Sequence, residues 1–157
     1  MRAWPRNLWE IPEVRLVAWG LLLNAAWELL QSPLYTDHVQ GFAHVLRTRL
    51  HCTGGDALIL LGAFWATSIV VRERHWWGPP RWKAVLLFLL LGLAYTVWSE
   101  HYNIEVRRSW EYAAAMPRLF GLGAAPLLQW LLLPPVILAL VRRAITSAAS
   151  AAAGNWQ

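Results

Sequence analysis

Four long apolar stretches decide what this chain can fold into. They run from about Val14 to Leu30, Asp56 to Val71, Trp82 to Ser99 and Leu119 to Val141. A hydrocarbon core about 30 Å thick is crossed by about 20 mostly apolar helical residues, and each stretch approaches that length, the second once Cys52 to Gly55 extend it. The expected fold is all-α, a four-helix transmembrane bundle, with residues 1–143 as a single domain. Pro126, Pro134 and Pro135 predict a kink or break in the fourth helix, because proline removes a backbone donor and crowds the preceding turn. Composition agrees. The chain is 57% hydrophobic and 15% charged, against roughly 25% charged for a soluble domain. Its 12 Trp have natural places at the two lipid–water interfaces.

The formal charge of +5 does not point to nucleic acid, because the basic residues flank apolar segments instead of gathering on one face. They read as topology signals. Arg2, Arg6, Arg15, Arg72, Arg74, Arg81, Lys83, Arg142 and Arg143 stand on the side of the termini; Arg47, Arg49, Arg107, Arg108 and Arg118 stand on the other. This places both termini in the cytoplasm and the two longer loops outside, as in a multi-pass protein of a bacterial inner membrane. The first segment is expected to be an uncleaved anchor. Trp19, Asn24, Trp27 and Glu28 interrupt its apolar run, and Asn24-Ala25-Ala26 leads directly into Trp27 without an evident cleavage site. The Ala/Ser-rich tail, residues 144–157, is expected to be disordered apart from a frayed helix. A single Cys52 excludes an intrachain disulfide and a Cys-rich zinc site.

In the first outer loop Val39, Phe42, Val45, Leu46 and Leu50 recur at helical spacing, opposite Gln40, His44, Arg47 and His51. The pattern predicts an amphipathic interfacial helix on the outer leaflet with Asp37 as its N-cap, or a plain surface helix with solvated histidines. The second outer loop, with Glu100, His101, Asn103, Glu105, Arg107, Arg108, Trp110, Glu111 and Tyr112, reads either as part of a site or as a solvated charged face.

Depth is the informative coordinate. Asn24, Glu28 and Gln31 share one helical face at the outer end of the first helix. His51, Cys52 and Asp56 open the second. Tyr95, Ser99, Glu100, His101 and Asn103 close the third, and Gln129 lies about two turns into the fourth. The acids within or beside the spans thus gather at one end, where an outward-facing polar pocket is expected. Each acid also has a structural reading. Asp56 after Gly54-Gly55 is placed to cap a helix, Glu100 to end one in solvent, and Glu28 to bond between helices.

Three functions fit such a pocket. His51, Asp56, Glu100 and His101 offer nitrogen and oxygen ligands for a divalent metal, although no His-x-x-x-His or Glu-x-x-His pair occurs among them. Glu28 and Glu100, beside Trp27, Trp98 and Trp130, suit acid–base catalysis on a lipid or other apolar substrate. A non-enzymatic subunit, alone, as a homo-oligomer or within a larger membrane complex, needs no chemistry and is the leading reading. Its ligand pocket would comprise Asn24, Trp27, Gln31, Asp56, Tyr95, Trp98, Asn103, Gln129 and Trp130, holding a lipid-soluble ligand. No histidine falls inside a span, so an intramembrane haem is not expected, and no cofactor is assigned.

Asn24-Ala25-Ala26-Trp27-Glu28 with Gln31-Ser32-Pro33-Leu34-Tyr35 resembles the opening of a group of uncharacterised bacterial four-span inner-membrane proteins. His51 to Asp56, Tyr95-Thr96 with Ser99-Glu100 and Asn103, Trp110 to Pro117, and Pro126 to Trp130 extend the likeness over most of the chain outside the tail. The resemblance implies a four-span fold and a bacterial membrane location, and no activity. A sterol-isomerase-type four-helix membrane domain, which works with buried acids and aromatics, is similar in plan; no site residue is carried over from it.

Overall fold

The computed structural model describes residues 8–78 and 81–154, with side chains described up to Arg143. Arg2, Arg6, Trp4 and Trp156, and the side chains of the Ala/Ser tail, lie outside the described residues. Four helices account for most of the chain: α1 Pro12–Gln31, α2 Phe42–Val71, α3 Trp82–His101 and α4 Ala124–Gly154. Among the described residues three segments are long and apolar enough to cross a membrane, Phe42–Val71, Trp82–Val106 and Ala124–Arg143. Between α3 and α4 the chain makes a π-helical turn, Tyr102–Val106, and a two-stranded antiparallel ribbon of β1 Arg118–Leu119 and β2 Leu122–Gly123.

The helix contacts run α1 to α2 and α4, and α3 to α2 and α4. Their shared core is apolar: Leu16, Leu60, Phe64, Phe88, Ile137, Leu138 and Val141 are buried. Outward faces are apolar as well, with Leu21, Leu22, Leu58, Ile69, Leu90, Leu131 and Leu132 exposed. A helix that is apolar all round is what lipid as solvent demands. In α1 the polar residues turn inward instead, and Glu13, Arg15, Asn24, Glu28 and Gln31 are all buried.

Two expectations meet a different structure. Residues 42–50 do not form a separate interfacial helix; they are the first turns of α2, which continues through Gly54 and Gly55. Glycine weakens a helix but keeps its N–H and its helical geometry, so packing carries the helix across the pair. A short 3-10 turn at Thr36–Gln40 precedes it, and Asp37 caps nothing there but pairs with Arg49. Likewise α4 runs through Pro134 and Pro135 without a break. Trp76 and Trp77, which stand near a span end where an aromatic belt would be expected, are buried. The Trp76 indole N–H donates to the Phe64 carbonyl at 3.3 Å and the Ser68 hydroxyl at 3.0 Å, and its ring packs against Phe64 and Phe88.

One close approach fixes how α3 meets α4. A Cβ on Gly92 would stand 2.2 Å from a ring carbon of Trp130, whereas one on Gly62 would meet nothing within 4 Å. Gly92→Ala is therefore expected to lower stability by about 1–3 kcal/mol, and Gly62→Ala to leave it unchanged or slightly raised. Unfolding of both variants in detergent checks the contrast.

Candidate functional site: a carboxylate-lined cavity

At the end of the bundle where α1 finishes and α2 begins, α1, α2 and α4 are joined through one side chain. The Gln129 amide of α4 is 2% exposed. Its Nε2 donates to Asn24 Oδ1 of α1 at 2.8 Å and to Asp56 Oδ2 of α2 at 2.8 Å. Its Oε1 accepts from Gln31 Nε2 at 3.4 Å, and that same nitrogen donates to Glu28 Oε1 at 2.7 Å. The ends of the network are tied as well. Asn24 Nδ2 donates to the Gly20 carbonyl at 2.7 Å, and the Trp27 indole donates to Gln31 Oε1 at 3.2 Å. Helical spacing explains the arrangement, since residues 24, 28 and 31 fall on one face of α1.

Glu100 enters from α3. It is buried and accepts from the Tyr112 hydroxyl at 2.5 Å. Tyr112 belongs to the connection between α3 and α4 and is held from behind by Gly123, where a Cβ would stand 2.8 Å from its ring. Across from it, Tyr35 and Tyr112 form an isolated antiparallel bridge. Thr36 N–H donates to the Glu111 carbonyl at 3.0 Å and Ala113 N–H to the Leu34 carbonyl at 2.9 Å. The two loops at this end are thereby stitched together by backbone. Burial and the neighbouring Glu100 charge push the Tyr35 and Tyr112 hydroxyls up, so both stay protonated donors through the neutral range. Arg49 pairs with Asp37, and its guanidinium lies over the Tyr35 ring, 4.7 Å from the centroid.

These groups surround a cavity of ≈ 520 Å³. Glu28, Asp56, Glu100, Arg49, Arg107, Tyr35 and Gln129 are among its polar lining; Ile59, Gly62, Ala63, Ala66, Leu91 and Trp130 are among its apolar lining. From Asp56 to Ala66 is ten residues of α2, about 15 Å along the axis. The lining includes exposed residues of both α2 and α3, among them Leu58, Gly62 and Tyr95, so the cavity opens sideways between these two helices. Among the lining residues, the buried Arg49 Nε, Thr96 Oγ1 and Trp110 Nε1 have no hydrogen-bond partner.

The structure thus brings Glu28, Asp56, Glu100, Gln129 and Trp130 to one cavity, together with His51, Tyr95 and Asn103. Asn24 and Gln31 stand behind it in the network. Trp98 is exposed and stacks on Tyr102, with 5.5 Å between ring centroids. His101 is exposed and does not line the cavity. Among the described residues no group of three or more His, Cys, Asp or Glu is placed to hold a metal ion. Asp56 does not cap a helix; it lies midway along the long α2 and its partner is Gln129. Glu100 does not end a helix in solvent but is buried against Tyr112. Arg49, Tyr35 and Thr96 were not among the candidates. Arg49 and Thr96 carried no signal beyond an Arg and a Thr near a span, and Tyr35 gains its role only through the loop pairing.

Because one amide serves three helices, Gln129→Leu is expected to cost about 1–3 kcal/mol, leaving Asn24, Gln31 and Asp56 each short of a partner. Gln129→Glu, which keeps the shape but loses both donated bonds, should cost at least as much. Denaturant unfolding in detergent measures both. No protein-family model, curated protein or solved structure matches the chain.

Proposed function

We propose that this chain is a small four-span protein of a bacterial inner membrane, with both termini cytoplasmic, that holds a lipid-soluble ligand in the carboxylate-lined cavity as a non-enzymatic or accessory subunit. The α1 helix is the fourth crossing. Its exposed face is apolar, with Leu21, Leu22, Leu29 and Leu30, and its polar residues are turned toward α2 and α4. The observation that carries the reading is the shape of the cavity. Three carboxylates and an apolar groove share one cavity, which opens sideways, toward where lipid would be. An amphiphile fits this gradient, with a head that donates N–H or O–H to Glu28, Asp56 and Glu100 and a body lying along Gly62, Ala66 and Leu91. An anionic head fits less well, since the three lining carboxylates outnumber the two lining arginines and one of these, Arg49, is already matched by Asp37.

A second reading rests on a separate observation. Glu28 and Glu100 face the same cavity, and Tyr112 holds a hydroxyl on Glu100. Two carboxylates and a phenol around one apolar ligand are also the parts of a membrane enzyme that moves protons on a lipid or other apolar substrate.

Untargeted lipid mass spectrometry on the purified protein is expected to find one copurifying amphiphile without an anionic head. Gly62→Phe, at a lining position where a Cβ meets nothing within 4 Å, should lose it while unfolding like wild type. If wild-type protein carries no such lipid, or Gly62→Phe keeps it, the binding reading is wrong. Glu28→Gln and Glu100→Gln separate the two readings. A carrier retains its ligand unchanged in kind, whereas an enzyme accumulates an unconverted species. Cys52, at the acid end, should react with a membrane-impermeant thiol reagent added outside; labelling only from the cytoplasm would invert the topology.

A further inference from the structure

The opposite end of the bundle carries a second concavity. It lies between α3 and α4, has a volume of ≈ 370 Å³, and is lined by Arg81, Trp82, Val85, Leu86, Leu89 and Arg142. Its polar members are two arginines and an indole, and no acid lines it. Trp82, Val85, Leu86 and Leu89 are spaced at three and four residues, so they form one stripe down α3. Trp82 and Leu86 are exposed on it. Arg142 is held in place from behind, its Nε donating to the Trp77 carbonyl. Arg81 stands 3.7 Å from Glu73, a loose contact between two exposed side chains that leaves the guanidinium able to turn. Lys83 lies over the Trp82 ring at 5.6 Å and adds a third positive charge beside the groove.

We propose that this groove binds the phosphate head of an anionic membrane phospholipid, with one acyl chain laid along Val85, Leu86 and Leu89. Guanidinium groups match phosphate oxygens in pairs of parallel N–H bonds, and Trp82 supplies the amphipathic ring that sits at headgroup level. Basic pockets between spans attract such lipids at about 1 kcal/mol per Lys or Arg, which corresponds to about fivefold in affinity for each arginine. The inference stands apart from the carboxylate-lined cavity, which lies at the other end.

Native mass spectrometry from mixed micelles holding equal phosphatidylglycerol and phosphatidylcholine tests it. Wild-type protein should retain phosphatidylglycerol preferentially, and Arg81→Gln should reduce that preference about fivefold. Val85→Trp, which fills the groove and leaves both arginines in place, should reduce it as well. Arg142→Gln is the weaker variant, because it also removes the partner of the Trp77 carbonyl and can unfold the turn. Equal retention of the two lipids by wild type overturns the proposal, as does a preference unchanged in both Arg81→Gln and Val85→Trp. Millimolar inorganic phosphate should not displace the lipid; if it does, the site reads a free anion and the lipid assignment fails.

Discussion

A single buried primary amide organises this molecule. Gln129 offers two donors and an acceptor, and the buried Asn24 and Gln31 and the half-buried Asp56 take all three. In lipid there is no hydrophobic force pressing helices together, so interhelical hydrogen bonds and close packing set which faces meet. The amide fixes the rotation of α1, α2 and α4 about their axes. Its neighbour Trp130 then fixes α3, because the indole lies where a side chain on Gly92 would have to be. Two consecutive residues of α4 thereby touch each of the other three helices. Once these rotations are set, Glu28 and Asp56 must face the same space, and Glu100 arrives there from the third side.

The positions of three acids were legible from the sequence for a simple reason, although Glu13, buried in the first turn of α1 and paired with Arg74, departs from the expected gathering at one end. A helix advances a fixed distance per residue, so residue number converts to depth, and Glu28, Asp56 and Glu100 come out at one level whichever side is outside. Rotation was legible only within α1, where Asn24, Glu28 and Gln31 share a face by their spacing. That Gln129 would be the hub, and not one more member of a polar ring, depends on the relative rotation of separate helices, which spacing does not encode. The pairing of Tyr35 with Tyr112 was hidden in the same way, since it joins residues 77 positions apart across two irregular loops.

Where the sequence reading and the structure part, the same physical cause recurs. Gly54-Gly55 and Pro134-Pro135 are strong punctuation in a soluble chain, and they suggested a helix start and a helix break. In α2 and α4 they are neither. An apolar surrounding offers the backbone no other hydrogen-bond partner, so helix is kept wherever it can be kept. Gly55 and Gly62 then act as absences of side chain, and the volume they leave is part of the cavity. Trp76 was misplaced for the opposite reason. Tryptophan near a span end is usually an anchor in the headgroups, but here the short connection folds back and puts the ring into the core.

The length of α2 has a consequence of its own. Thirty residues of helix measure about 45 Å, half as long again as a hydrocarbon core of about 30 Å. Either the helix leans or its first turns stand clear of the acyl chains, and those turns carry His44, Arg47 and Arg49. The ion pair between Arg49 and Asp37 then resides in the steepest part of the dielectric profile, where a few ångströms of depth separate a weak contact from a strong one. Bilayer thickness becomes a chemical variable for this protein. A thinner membrane exposes the pair to water, a thicker one draws it toward the oil, and the electrostatics around the neighbouring carboxylates shift with no change in the protein's own sequence.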